Sequence, residues 1–185
     1  ADGGIVACGF VKHQTQNKYE VFVFKLKPDF NQEFINTYSF TRETKANAIT
    51  QLENGEFIIA GSYDVEGNGL YLDPLILRID PASNLLRSRQ ITQLRNDSFL
   101  DIKQRKDGKL VASGNSTKYM VSPATSSAGV WILDTSGVYR SRNVFGSRTN
   151  HSYATNLKIH NDSLLILTGY ANLKNDYSAT TTYTF

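Results

Sequence analysis

The amino-acid sequence predicts an all-β chain built from a repeated four-stranded unit, and three observations carry the prediction. A turn-and-strand block ending on glycine recurs at a near-constant period, apolar residues alternate at period two around it, and no stretch has a convincing helical period. The block is clearest at Lys106-Asp107-Gly108-Lys109-Leu110-Val111-Ala112-Ser113-Gly114, a tight Asp-Gly turn followed by a short apolar strand. Its counterparts are Ala1 to Gly9, Glu53 to Gly61 and Asn161 to Gly169. The closing glycines are spaced by 52, 53 and 55 residues, and in each copy the turn residue (Asp2, Asn54, Asp107, Asp162) stands seven positions before its glycine.

The elements of one unit follow in order. A first strand precedes each turn, at Ala48 to Leu52, Leu100 to Gln104 and Asn156 to His160, with apolar residues at every second place as in a half-buried strand. The Asn-Gly, Asp-Gly and Asn-Asp-Ser turns tolerate the positive φ that a short hairpin loop demands. The second strand, ending on the glycine, is almost wholly apolar, which predicts burial of both its faces. Polar connections at 10–18, 62–73, 115–128 and 170–177 lead to a third strand, at Val21 to Leu26, Leu75 to Asp80, Val130 to Asp134 and 179–185. Turns rich in Pro, Asp, Asn and Gly then lead to a more polar fourth strand, at Glu33 to Phe40, Leu85 to Ile91 and Val138 to Phe145. Burial decreasing from the inner strands to a polar edge strand suits the blade of a β-propeller. The expected count is 14 strands, about 3.5 blades, in one domain over 1–185 with blade parts at 1–45, 46–98, 99–150 and 151–185. Starting and stopping in mid-blade, the chain is expected to be a fragment of a propeller about twice this length.

Bulk properties exclude several classes. The chain has 185 residues, 40% hydrophobic and 20% charged, which is globular composition. The net charge is +3 with no basic run longer than two, which argues against a nucleic-acid partner. No apolar stretch reaches the roughly 18 residues of a membrane helix. A single Cys8 rules out an internal disulfide and reads as a small buried thiol.

The blocks DGGIVACG, NGEFIIAG and DGKLVASG, followed by LILRIDP or VWILDTSG, resemble the DGGYIIAG…LLKLDSNG type of β-propeller repeat found in surface and secreted proteins of Bacteroidota and some other bacteria. The resemblance covers the whole chain as a pattern. It implies an extracytoplasmic protein, either secreted or a lipoprotein of the outer-membrane surface. The implied role is an accessory binding or scaffolding subunit, in some members beside a TonB-dependent transporter that imports glycans or peptides. Membrane association would then run through a lipid anchor outside this stretch or through the partner, since Cys8 sits mid-strand.

Candidate chemistry points the same way. His13, His151 and His160 lack Cys or carboxylate neighbours at metal-ligand spacing and read as surface histidines, so no metal and no cofactor is expected. Asp64, Glu66, Asp73, Asp97 and Asp101 are the acids near blade ends and read as solvated. The segment Asp64 to Gly69 lacks the alternating ligands of a calcium loop. No catalytic residue is assigned. The ligand-binding expectation falls on Tyr63, Tyr71, Tyr119 and Tyr170, placed in the connections between second and third strands, where a ring with a polar tip suits sugar stacking or a protein partner. The alternative is a propeller-fold glycan hydrolase or lyase using two carboxylates at a central channel.

Overall fold

A computed structural model describes residues 2–67, 71–92, 96–119, 125–145, 151–161, 164–171 and 181–184. They form 14 strands in chain order: β1 (Ile5–Lys12), β2 (Tyr19–Leu26), β3 (Gln32–Tyr38), β4 (Thr44–Gln51), β5 (Phe57–Asp64), β6 (Leu72–Ile79), β7 (Leu85–Gln90), β8 (Ser98–Gln104), β9 (Leu110–Tyr119), β10 (Thr125–Leu133), β11 (Tyr139–Phe145), β12 (Ser152–His160), β13 (Leu164–Ala171) and β14 (Thr181–Thr184). These make four consecutive open sheets, β1–β3, β4–β7, β8–β11 and β12–β14, each pairing its strands antiparallel in chain order. The sheets stack as the blades of a β-propeller, and β4, β8 and β12, the first strands, lie side by side.

The apolar second strands explain the stacking. On β5, Phe57 and Ile59 face the first sheet and meet Val21, Val23 and Tyr38, whereas Ile58 and Ala60 face the third sheet and meet Phe99, Leu110 and Trp131. On β9 the same alternation sends Leu110 and Ala112 one way and Val111 the other, toward Leu157, Leu165 and Leu167. Side chains two apart share a face, so a strand clamped between two sheets must be apolar at every position. Trp131 is fully buried edge-on to Phe99, with ring centroids 5.1 Å apart. Gly129 makes the room, because a Cβ there would lie 2.4 Å from the Trp131 ring.

The closing glycines serve a second device. In each sheet that has a first strand, that strand carries one extra residue opposite the glycine: Asn47 opposite Gly61, Leu100 opposite Gly114 and Thr155 opposite Gly169. Such a bulge bends the strand and turns a carbonyl onto its neighbour. The carbonyl oxygens of Lys45, Ser98 and Tyr153 come within 1.9, 2.0 and 1.8 Å of where a Cβ on Gly61, Gly114 and Gly169 would be. The bulge region also ties blade to blade. Asn47 Nδ2 donates to the Phe99 carbonyl at 2.7 Å, and Asp101 Oδ2 accepts from the Leu157 amide at 2.8 Å.

The turns hold as the sequence predicts. Asp2, Asn54 and Asp107 each accept a hydrogen bond from the amide two residues on, and Gly3, Gly55 and Gly108 take φ of 79°, 86° and 79°. Asp162 lies outside the described residues. Two expectations change. Cys8 is half-buried rather than buried, and its remaining burial pushes the thiol up to about 11. The connections after the closing glycines are also shorter than the polar sequence suggests, because Ser62, Tyr63 and Asp64 pair with Pro74, Asp73 and Leu72 and extend the hairpin.

Gly61→Ala is expected to lower unfolding stability by about 1–3 kcal/mol or more, since the clash is with backbone on a packed bulge. Gly9→Ala, where a Cβ would meet nothing within 4 Å, is expected to be neutral or stabilising. Urea unfolding of both variants checks the pair; equal losses at the two positions would refute the bulge account.

Candidate binding site

A recess lies where the second blade hands over to the third. Asp64 ends β5, and its Oδ1 accepts from the Glu66 amide at 3.2 Å and the Gly67 amide at 2.8 Å, which folds the start of the β5–β6 loop into an Asx turn. The Val65 amide donates to the Tyr71 carbonyl at 2.9 Å and closes that loop. The connection from β7 to β8 runs against the start of β6, through Ile91 N to Pro74 O at 3.0 Å and Asp97 N to Leu72 O at 2.8 Å. Between loop and connection is a pocket of about 300 Å³ lined by Val65, Glu66, Tyr71, Asp73, Thr92 and Asn96.

Next to Asn96 of the lining is a buried carboxylate anchor. Asp97 is fully buried and accepts from the Thr117 amide at 2.8 Å, the Ser116 hydroxyl at 3.0 Å and Arg142 Nη1 at 2.9 Å. It thereby ties the connection that carries Asn96 to β9 and β11. Burial pushes Asp97 up to about 6, although its hydrogen bonds and the Arg142 charge pull the other way. Burial and then the Asp97 charge push Asp73 up to about 6 as well.

The blade-end acids are therefore not the solvated set that the sequence suggests. Asp64, Asp73, Asp97 and Asp101 are all less than one-tenth exposed, while Glu66 is exposed. Each buried acid with a described partner is satisfied by a backbone amide or a cation. Asp101 accepts from the Ile102 and Leu157 amides and from Lys103 Nζ at 2.9 Å. Composition could not reveal this, because the cation that meets Asp97 is 45 residues away.

The four tyrosines separate. Tyr71 is 43% exposed on the pocket wall. Tyr63 lies in β5, opposite Asp73 in register, and packs against the core between the first two blades. Tyr170 lies in β13, exposed on one side and stacked on Tyr153 with centroids 4.8 Å apart. Tyr119 ends β9, and its side chain is outside the described residues. Of the tyrosines with described side chains, Tyr71 alone lines the recess with Asp73 and Glu66, and Thr92 and Asn96 join it without any signal in the sequence. His13 Nδ1 accepts from the Thr15 and Gln16 amides, and His151 Nδ1 accepts from the Ser126 amide at 3.1 Å, so both shape local backbone. Among the described residues no three His, Cys, Asp or Glu side chains are placed to share a metal ion.

The pocket's proton balance is testable. Unfolded aspartates ionise near 3.9, whereas Asp73 and Asp97 hold their protons to about 6 in the fold. The folded state then binds more protons across that window, so stability is expected to fall as pH rises from about 4 to about 6 and to level off above it. Asp97→Asn should flatten that part of the urea-unfolding profile; an unchanged profile would contradict the assignment.

No protein-family model matches the sequence. No curated protein matches it. Among solved structures, the fold is similar to a protein of unknown function from Bacteroides caccae, with a TM-score of 0.49 and 10% sequence identity over 89% of this chain. The chain spans 57% of the length of that structure.

Proposed function

We propose that the protein is a non-catalytic propeller that binds a hydroxyl-rich ligand, a glycan, in the pocket at Tyr71 and Asp73. The observation that carries the reading is the composition of one wall-to-wall recess. Tyr71 offers a half-exposed ring for stacking, and Asp73, Glu66, Thr92 and Asn96 line the same recess with groups that can bond hydroxyls. Asp97, next in sequence to Asn96 of the lining, is tied to Arg142, which restrains that wall and lowers the ordering cost of binding. The repeat's resemblance to bacterial surface propellers supports an extracytoplasmic setting, at the outer-membrane surface or secreted. There the chain acts as an accessory or scaffolding subunit of a nutrient-uptake complex, with a TonB-dependent transporter as partner.

A second reading, glycan hydrolysis or lysis, is favoured by one observation. Two carboxyl groups, Asp73 and Glu66, line the same pocket, and Asp73 titrates near 6, in the range of a general acid. Asp97 does not add to that pair, since it is fully buried and committed to Arg142, Ser116 and Thr117.

Calorimetric titration with a panel of neutral oligosaccharides tests both. Binding by the parent chain with about tenfold weaker affinity for Tyr71→Ala, the loss of roughly 1.4 kcal/mol of stacking, is the expected result. Release of reducing ends on prolonged incubation, abolished by Asp73→Asn, would replace the binding reading with the hydrolase. Equal affinity of Tyr71→Ala and parent would overturn the pocket assignment.

A further inference from the structure

Four arginines are partly buried among the described residues, and three of them face a carboxylate. Arg78 pairs with Glu56, Arg105 Nε faces Asp107 at 3.6 Å, and Arg142 Nη1 meets Asp97 at 2.9 Å. Arg89 is the exception. No ion pair or side-chain hydrogen bond reaches its guanidinium from the described residues, and its Nε is shut off from solvent without a partner. A guanidinium keeps its charge and its five donors at every accessible pH, so covering part of it without an acceptor costs free energy. A group left uncompensated in this way calls for an explanation, and an acceptor from outside the chain supplies one.

The place of Arg89 shows where such an acceptor would sit. On β7 it stands directly opposite Ile76 of β6, and opposite residues share a sheet face. Ile76 belongs to the core between the second and third sheets, and Tyr139 packs against that core. Arg89 therefore points into the seam between these two blades. The β10–β11 turn closes part of that seam: a Cβ on Gly137 would stand 3.1 Å from Ile76 Cγ2, and Arg78 Nη1 donates to the Thr135 carbonyl at 3.2 Å. A recess of about 210 Å³ remains, lined by Arg89, Gln90, Ile91, Thr92, Val138 and Tyr139. This lining holds one cation and no acid. Thr92 also lines the recess at Tyr71, so the two recesses meet at that residue, while Glu66 and Asp73 belong to the Tyr71 recess alone.

We propose that this second recess is a carboxylate subsite, and that the ligand is an acidic glycan whose hexuronic acid unit sets its carboxylate on Arg89. The inference rests on the glycan reading of the Tyr71 recess and narrows its ligand class. One sugar stacks on Tyr71, and the chain continues past Thr92 to bring a neighbouring unit to Arg89. The guanidinium fork and a carboxylate are both planar and pair through two parallel N–H···O bonds, a match that the tetrahedral oxygens of a sulfate ester make less well. The Gln90 amide and the Thr92 and Tyr139 hydroxyls supply further hydrogen bonds for the same unit. Glu66 and Asp73 disfavour a carboxylate in the first recess and Arg89 favours it in the second, so charge fixes the direction in which the glycan lies.

Calorimetric titration of the parent, Arg89→Gln and Tyr71→Ala tests this. The probes are tetrasaccharides of galacturonic, mannuronic and glucuronic acid, each beside its uncharged methyl ester, and a sulfated neutral tetrasaccharide. The parent is expected to bind one acid about tenfold tighter than its ester. Arg89→Gln is expected to bind that acid and its ester alike, at the parent's ester affinity, and Tyr71→Ala to weaken both forms. The unfolding midpoint of Arg89→Gln is expected at or above the parent's, since an uncompensated charge has been removed, and this separates a lost subsite from misfolding. Equal binding of acid and ester by the parent, with both weakened by Tyr71→Ala, would overturn the carboxylate subsite and leave the Tyr71 reading standing. A preference for the acid that survives Arg89→Gln would overturn the assignment to Arg89. Tighter binding of the sulfated sugar than of any uronate would overturn the ligand class. No binding of any of these sugars at millimolar concentration would overturn the subsite and the glycan reading together.

Discussion

A carbonyl oxygen set directly on a glycine Cα recurs in three of the four sheets, and the blade geometry depends on it. An extra residue in the first strand would ordinarily break the ladder. Here it is absorbed because the opposing residue has no side chain, and the bend that results lets β4, β8 and β12 lie against one another. The same bulges place Asn47 and Asp101 so that they bond to the backbone of the next blade. One constraint on side-chain size thus sets strand curvature, blade spacing and the polar links between blades.

Packing does the rest. β5 and β9 are buried on both faces, whereas β7 is exposed along most of its length and no residue of β11 is buried. Each blade therefore has an apolar middle and a polar outer edge, and neighbouring blades share cores rather than owning them. A second recurring bulge, at Glu33, Leu86 and Arg140, sits on the fourth strands. In two cases its side chain is used: Glu33 meets Lys25, and Arg140 meets Asp134 at 2.8 Å.

Most of this was legible in the sequence. The period, the turn residues and the order of four strands per unit followed from the spacing of Asp or Asn and Gly, because turns demand particular φ values and a two-faced strand demands apolar residues throughout. The bulges were not legible, since Asn47, Leu100 and Thr155 share no residue type and the information lies in the glycine across the sheet. The recess was only partly legible. Tyr71 stands out as an aromatic residue in a polar connection, but Asp73 and Asp97 look like any other surface acids until the fold brings the hydroxyl of Ser116 and the guanidinium of Arg142 to Asp97. Tyr63 and Tyr170 read alike in sequence and part company in space because pairing continues past the closing glycine and they stand two residues and one residue beyond it, on opposite strand faces.

Native-state hydrogen exchange tests the central claim, that sheets stacked through doubly buried second strands make the fold. The amides of β5 and β9 are expected to exchange most slowly and only through global unfolding, with β7 and β11 faster and the unpaired side of β1 fastest among the second strands. Uniform protection across all strands, or β1 protected as strongly as β5, would contradict it.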